Sequence, residues 1–93
     1  MDNNYKRFDE VAELLKVMAH PVRICILNGL IKKGECNVTF MQGCLEVPQS
    51  TISQHLQKLK AAGLVQSERR GLEVIYSIKD PRVKLLMGIL IKE

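Results

Sequence analysis

Between Pro48 and Leu64 the chain reads PQSTISQHLQKLKAAGL, a helix-length segment whose apolar and polar residues sort onto opposite sides. Ile52, Leu56 and Leu59 fall at the i, i+4, i+7 spacing that lines one helical face. The rest of the segment holds Gln49, Ser50, Thr51, Ser53, Gln54, His55, Gln57, Lys58 and Lys60, uncharged at the start, cationic toward the end and without a single acid. Solvated helix faces usually mix Glu with Lys for i, i+4 pairing. A face of amides and hydroxyls followed by lysines instead suits base edges and phosphates, and predicts a helix that enters a DNA groove.

The pattern on either side of this segment is helical, then alternating, then helical again. Phe8, Val11, Ala12, Leu15 and Met18 mark a first amphipathic helix that ends near Ala19-His20, because Pro21 disfavours the helical conformation of its predecessor. Pro21 itself suits the first turn of a second helix, with a broad apolar stripe of Val22, Cys25, Ile26, Leu27, Leu30 and Ile31 and a stop at Gly34. A short third helix passes through Val38, Met41 and Leu45, and Gly63 sits where a left-handed C-cap closes the polar-faced fourth. Leu64–Arg69 and Glu73–Ile78 then read as two strands of a hairpin turned at Arg70-Gly71-Leu72, with a basic tip. Asp80-Pro81 supplies an N-cap and first turn for a last helix. Its Val83, Leu85, Leu86, Met87, Ile89, Leu90 and Ile91 surround nearly the whole circumference, so a single buried face cannot accommodate them all.

Ninety-three residues make one domain, 1–93, with a modest core, and a chain of this size commonly gains further burial by dimerising. The net charge is +4, of which three units lie within residues 48–79, the polar helix and the hairpin. That surplus favours a polyanion, although a charge of this size alone is not diagnostic. No apolar run reaches the roughly 18 residues that span a bilayer, and MDNNYKRFDEV lacks the apolar centre of a signal peptide, so no membrane partner and a cytoplasmic location are expected. Three cysteines, Cys25, Cys36 and Cys44, are an odd number that does not fit a secreted disulfide framework. Cys25 belongs to an apolar stripe and is expected in the core, and Cys36 is expected to be the most exposed of the three. Cys36 and Cys44 flank the short helix about two turns apart, too far to bond if that helix were straight. No catalytic residue is assigned: His20 and His55 are the only histidines, and no nucleophile, base and orienting acid occur together in a local motif. No cofactor is implied.

A mostly α chain with a small β-hairpin, in the order four helices, two strands and a fifth helix, has the arrangement of a winged helix-turn-helix. LLKVMAHPVRICIL, then VPQSTISQHLQKLKAAGLVQSERRGLEVIYSI with its R-x-G-x-x-x-x-Y, also resemble the ArsR/SmtB family of small dimeric bacterial transcriptional repressors across about residues 10 to 80. The resemblance implies a recognition helix at about 48–62, a wing at about 64–79 and dimerisation helices at about 5–19 and 80–92. It implies a homodimeric repressor of double-stranded DNA with a partly palindromic operator. Gln49, Ser50, Thr51, Ser53, Gln54 and His55 are then the candidates at the DNA, with Gln49 and Gln54 able to pair bidentately with adenine. Lys58, Lys60, Arg69 and Arg70 are the candidates for phosphate attraction, and Phe8, Val11, Leu15, Leu86, Met87 and Leu90 for the dimer interface.

Two metal constellations of the family find no match. The Cys-x-Cys pair of the third helix has Cys36 at its first position but Val38 at its second, and the histidines of the last-helix site have no counterpart from Asp80 to Glu93. No metal site is therefore assigned, and the small-molecule or ion inducer is not specified by the sequence. Cys36 and Cys44 stay open as a redox pair in a thiol- or metal-responsive alternative. A winged-helix protein-interaction module is a further alternative, though an acidic recognition face would have favoured it and none exists.

Overall fold

Prolines, glycines and short polar side chains set the limits of the helices in the computed structural model, which describes all residues except Asp2 and Glu93. A 3-10 turn, Tyr5–Phe8, leads into helix α1, Asp9–Met18. The chain then turns by 92° into helix α2, Pro21–Lys33. His20 makes that corner: it is extended, and its Nδ1 accepts a hydrogen bond from the Val22 N–H at 3.1 Å, capping α2. Gly34, at φ +91°, ends α2 in a conformation that favours glycine.

A two-residue strand follows, β1, Glu35–Cys36, which the sequence reading did not contain. Two residues are too few to show an alternating pattern. Helix α3, Val38–Leu45, is capped by the Asn37 side chain, which accepts from the Phe40 N–H at 2.8 Å, and it ends at Glu46 in the left-handed region. Val47-Pro48 connects it to helix α4, Gln49–Ala61. Beyond α4 the Gly63 N–H bonds the Lys60 carbonyl and the Leu64 N–H bonds the Leu59 carbonyl, both at 3.0 Å, the paired closure of a Schellman motif.

Strands β2, Val65–Arg70, and β3, Glu73–Ile78, form the hairpin, with Arg70 opposite Glu73 and only Gly71-Leu72 between them. Gly71 has φ +64°, as the first central residue of a tight II′ turn requires. β1 joins this hairpin on the far side of β3, with Cys36 opposite Tyr76, so the sheet has three antiparallel strands in the order β1-β3-β2. Helix α5, Pro81–Leu90, is capped by Asp80, whose carboxylate accepts the Arg82 N–H at 2.9 Å and pairs with the Arg82 guanidinium. Those contacts hold the Asp80 carboxyl below its ordinary range.

The core lies where α2, α4, α5 and the base of the hairpin converge. Leu27 and Leu30, Ile52, Leu56 and Leu59, Leu64 and Val65, and Val83 are fully buried there. The apolar face of α4 is thus its seat, and its polar face is left outside. Among the described residues, no single helix is long and apolar enough to cross a membrane.

Candidate nucleic-acid interface

Helix α4 is about 20 Å long at 1.5 Å per residue, and burial of Ile52, Leu56 and Leu59 fixes its rotation about its own axis. Gln49, Ser50, Gln54, Gln57, Lys58 and Lys60 are left exposed, with Thr51 and Ser53 half-buried beside them. Its first turn holds no acid and its last turn holds Lys58 and Lys60. The N-terminal end of a helix also favours anions through its peptide dipoles and unpaired N–H groups. Neutral donors and acceptors at the front and cations at the back form one continuous exposed face.

His55 does not belong to that face. It is half-buried and directed toward the corner between α1 and α2. Its Nδ1 accepts a hydrogen bond from Arg23 Nε at 3.0 Å, and its ring centroid lies 4.5 Å from that of His20. Arg23 reaches back as well, donating from Nη1 to the Val17 carbonyl at 3.0 Å. Burial, and then the charges of His20, Arg23 and Lys58, pushes the His55 imidazole below its ordinary value of 6.5. Arg23 and His20 were absent from the residues the sequence singled out: no helical period links position 23 to position 55, and only the tertiary packing of α2 on α4 brings them together.

The basic residues divide in the same way. Lys58 stands on the exposed face of α4, whereas Lys60 donates from Nζ to Ser67 Oγ at 2.7 Å and ties the end of α4 to β2. Arg70, expected as a phosphate contact at the wing tip, is held by Glu35 at 2.8 Å and also pairs with Glu68. The guanidinium between them draws the Glu35 carboxyl below its ordinary value. Arg69 is exposed and alternates to the other face of the sheet, the face on which Ser67 meets Lys60. Arg69 rather than Arg70 therefore extends the cationic end of α4 onto the hairpin.

Of the residues expected between subunits, Phe8, Val11, Leu15 and Leu90 are exposed and Leu86 is half-buried. Met87 is buried beside Val83 on the inner face of α5 and reaches the surface only where it lines the hollow between α1 and α5. Leu85 and Ile89, which the sequence reading left unassigned, are 71% and 68% exposed on the outer side. α1 and α5 meet at a shallow apolar hollow of about 190 Å³ lined by Leu15, Met18, Leu86 and Leu90 among others.

The cysteines correct the sequence reading in two ways. Cys25 is exposed rather than in the core, and Cys36, expected outside, is buried in β1, where desolvation pushes its thiol up. Cys36 lies in β1, ahead of α3, and Cys44 lies near the end of α3. All three line one apolar pocket of about 110 Å³ between α2 and α3, with Ile26, Leu30 and Met41. Among the described residues, no group of three or more His, Cys, Asp or Glu side chains is placed to hold a metal ion.

Comparison with known proteins places this geometry in a group. Residues 20–67 match the family described as bacterial regulatory protein, arsR family. The chain is 44% identical over 86 residues to the transcriptional repressor PagR of Bacillus anthracis, covering 92% of this chain and 86% of that protein. The crystal structure of PagR superimposes with a TM-score of 0.84 over 95% of this chain and all of the other. Reduced HlyU from Vibrio cholerae gives a TM-score of 0.87 at 32% identity, over 97% of this chain and 94% of that one. A homodimeric winged helix-turn-helix DNA-binding domain from Mycobacterium bovis, solved in solution, gives 0.82 at 31% identity, over 96% and 83% respectively.

Proposed function

The chain belongs to the arsR family of bacterial regulatory proteins, and we propose that it is a homodimeric transcriptional repressor that reads a partly palindromic operator with α4 in the major groove. The observation that carries this reading is the acid-free exposed face of α4, standing outside a core that its opposite face anchors. Gln49 and Gln54 have the side chains to pair bidentately with adenine, Ser50, Thr51 and Ser53 to bond phosphate or base edges, and Lys58 to attract the backbone. The hairpin serves as the wing, with Arg69 as its phosphate contact. His55 and Lys60 act within the protein, as fasteners of α4 rather than as readers. Two copies related by a twofold axis set their recognition helices about one DNA turn apart, roughly 34–36 Å.

Selection of duplexes from a random library, followed by footprinting of the best, tests this directly. The expected product is a pair of inverted half-sites with centres about 10 base pairs apart. Gln54→Ala lowers affinity for the selected duplex by about 1–3 kcal/mol and leaves binding to a scrambled duplex nearly unchanged. A library with no enriched sequence would overturn the DNA-reading role, and an enriched site without dyad symmetry would overturn the homodimeric one.

A further inference from the structure

We propose that Arg23 is a positioning residue for α4, and that it fastens this helix to the corner between α1 and α2 only while the His55 ring is unprotonated at Nδ1, so that discrimination between DNA sequences depends on pH. The inference rests on the DNA-reading role proposed above. Three segments meet at one guanidinium: Arg23 donates from Nη1 to the Val17 carbonyl at the end of α1 and from Nε to His55 Nδ1 in the middle of α4, each at 3.0 Å. His20 packs its ring against His55 at 4.5 Å while its own Nδ1 caps α2 by accepting from Val22.

Both rings are therefore used as acceptors at Nδ1, and an imidazole that carries a proton on both nitrogens can no longer accept there. A guanidinium stays charged, so protonating His55 replaces a hydrogen bond with two cations at bonding distance. The charges acting on His55 are His20 and Arg23 from the corner and Lys58 from α4, with no carboxylate among them. Burial acts in the same direction, so the neutral ring is the form the folded seat retains. The sign follows: with a folded value below the ordinary 6.5, the stabilisation is complete above that value and is lost as pH falls below it. Gln54 is adjacent to His55 in sequence and faces outward, so movement of the seat displaces it. Bidentate pairing with a base tolerates little such displacement, whereas phosphate attraction tolerates much.

The test measures affinity for a library-selected duplex and for a scrambled duplex of equal length, by fluorescence anisotropy between about pH 8 and pH 5.5, where imidazoles titrate. For the wild type, the ratio of the two affinities is expected to be constant at the upper end and to fall toward the lower end, by at most about tenfold at pH 5.5 because a ring held below its ordinary 6.5 is still partly neutral there. Using the ratio cancels the added positive charge, which strengthens binding to both duplexes. His55→Asn places a non-titrating amide oxygen near the position of Nδ1 and is expected to hold the ratio constant throughout. Arg23→Met is expected to lower the ratio at every pH, with far-ultraviolet circular dichroism verifying that it folds. A wild-type ratio that does not change with pH overturns the proposal, as does a His55→Asn ratio that falls in parallel with the wild type. Those two measurements decide the matter even if Arg23→Met does not fold. Failure to select any duplex overturns the DNA-reading role instead.

Discussion

Arg69 and Arg70 are neighbours of equal formal charge, and the sheet gives them different surroundings. Strand geometry sends them to different faces, and on the outer face Arg70 meets Glu35 from β1 and Glu68 from its own strand. Each such exposed pair contributes little to stability, because solvent screens the attraction. Together, however, two carboxylates beside one guanidinium make that patch net negative and unattractive to phosphate. Arg69→Ala is therefore expected to weaken binding on all duplexes alike and to reduce the salt slope by about one ion, measured by titration at several salt concentrations. Joint replacement Glu35→Gln and Glu68→Gln is expected to do the opposite, raising affinity on all DNA by releasing Arg70. The sequence showed both arginines at the wing but not this difference, because Glu35 lies far away along the chain and joins the patch only through β1. The cysteines were misplaced for a related reason. Cys25 lies at the margin of a broad apolar stripe, where periodicity does not distinguish a covered edge from an open one, and Cys36 is buried by a strand too short to leave a pattern.

The elements legible in the sequence are those whose limits are set locally. Pro21, Gly34, Gly63 and Asp80 mark helix ends through their own backbone or side-chain chemistry, and all four act at those ends in the structure. α4 was legible twice, from its apolar spacing and from the composition of its other face, and its seat can be tested apart from its DNA contacts. Leu56 is fully buried between positions 52 and 59 of the same face and touches no part of the exposed surface. Leu56→Ala is expected to cost about 2–5 kcal/mol through lost burial and a residual cavity. For a domain of this length that is a large share of the total, since native proteins hold only about 0.05–0.15 kcal/mol per residue. Urea unfolding followed by circular dichroism measures it, with a shifted midpoint and an unchanged slope expected. Gln57→Ala, on the exposed face of the same turn, is expected to stay within about 0.5 kcal/mol. Equal costs at the two positions would mean that α4 is not anchored by the face of Ile52, Leu56 and Leu59.

At the scale of the molecule, one chain leaves too much apolar surface uncovered. Phe8, at the end of the 3-10 turn, and Val11 and Leu15 along α1 are each about half exposed, and Leu85, Ile89 and Leu90 are more than 60% exposed on the outer side of α5. An all-round apolar helix was readable in the sequence as a helix with two partners, but an apolar circumference has no phase. Nothing in residues 83–91 alone says that Val83 and Met87 turn to the chain's own core while Leu85 and Ile89 turn away. The packing of α5 against α2 and β3 makes that choice, and it separates the residues that hold the chain's own core together from those left on its outside. Substitution can exploit the separation. Ile89→Glu, at an exposed position, is expected to leave each chain folded and to convert a dimer into a monomer in sedimentation equilibrium, because a charge at the centre of an apolar interface loses its hydration without gaining a partner. Met87→Glu puts the same charge into the core and is expected to unfold the chain instead. The Ile89→Glu monomer keeps α4 and the wing, so it retains weak binding to a single half-site. It loses the affinity that depends on two linked half-sites, a loss that can reach 100-fold or more, on the order of the gain from making the second contact intramolecular. A variant that remains dimeric, or a monomer that binds the full operator as tightly as the wild type, would show that α5 does not join the subunits.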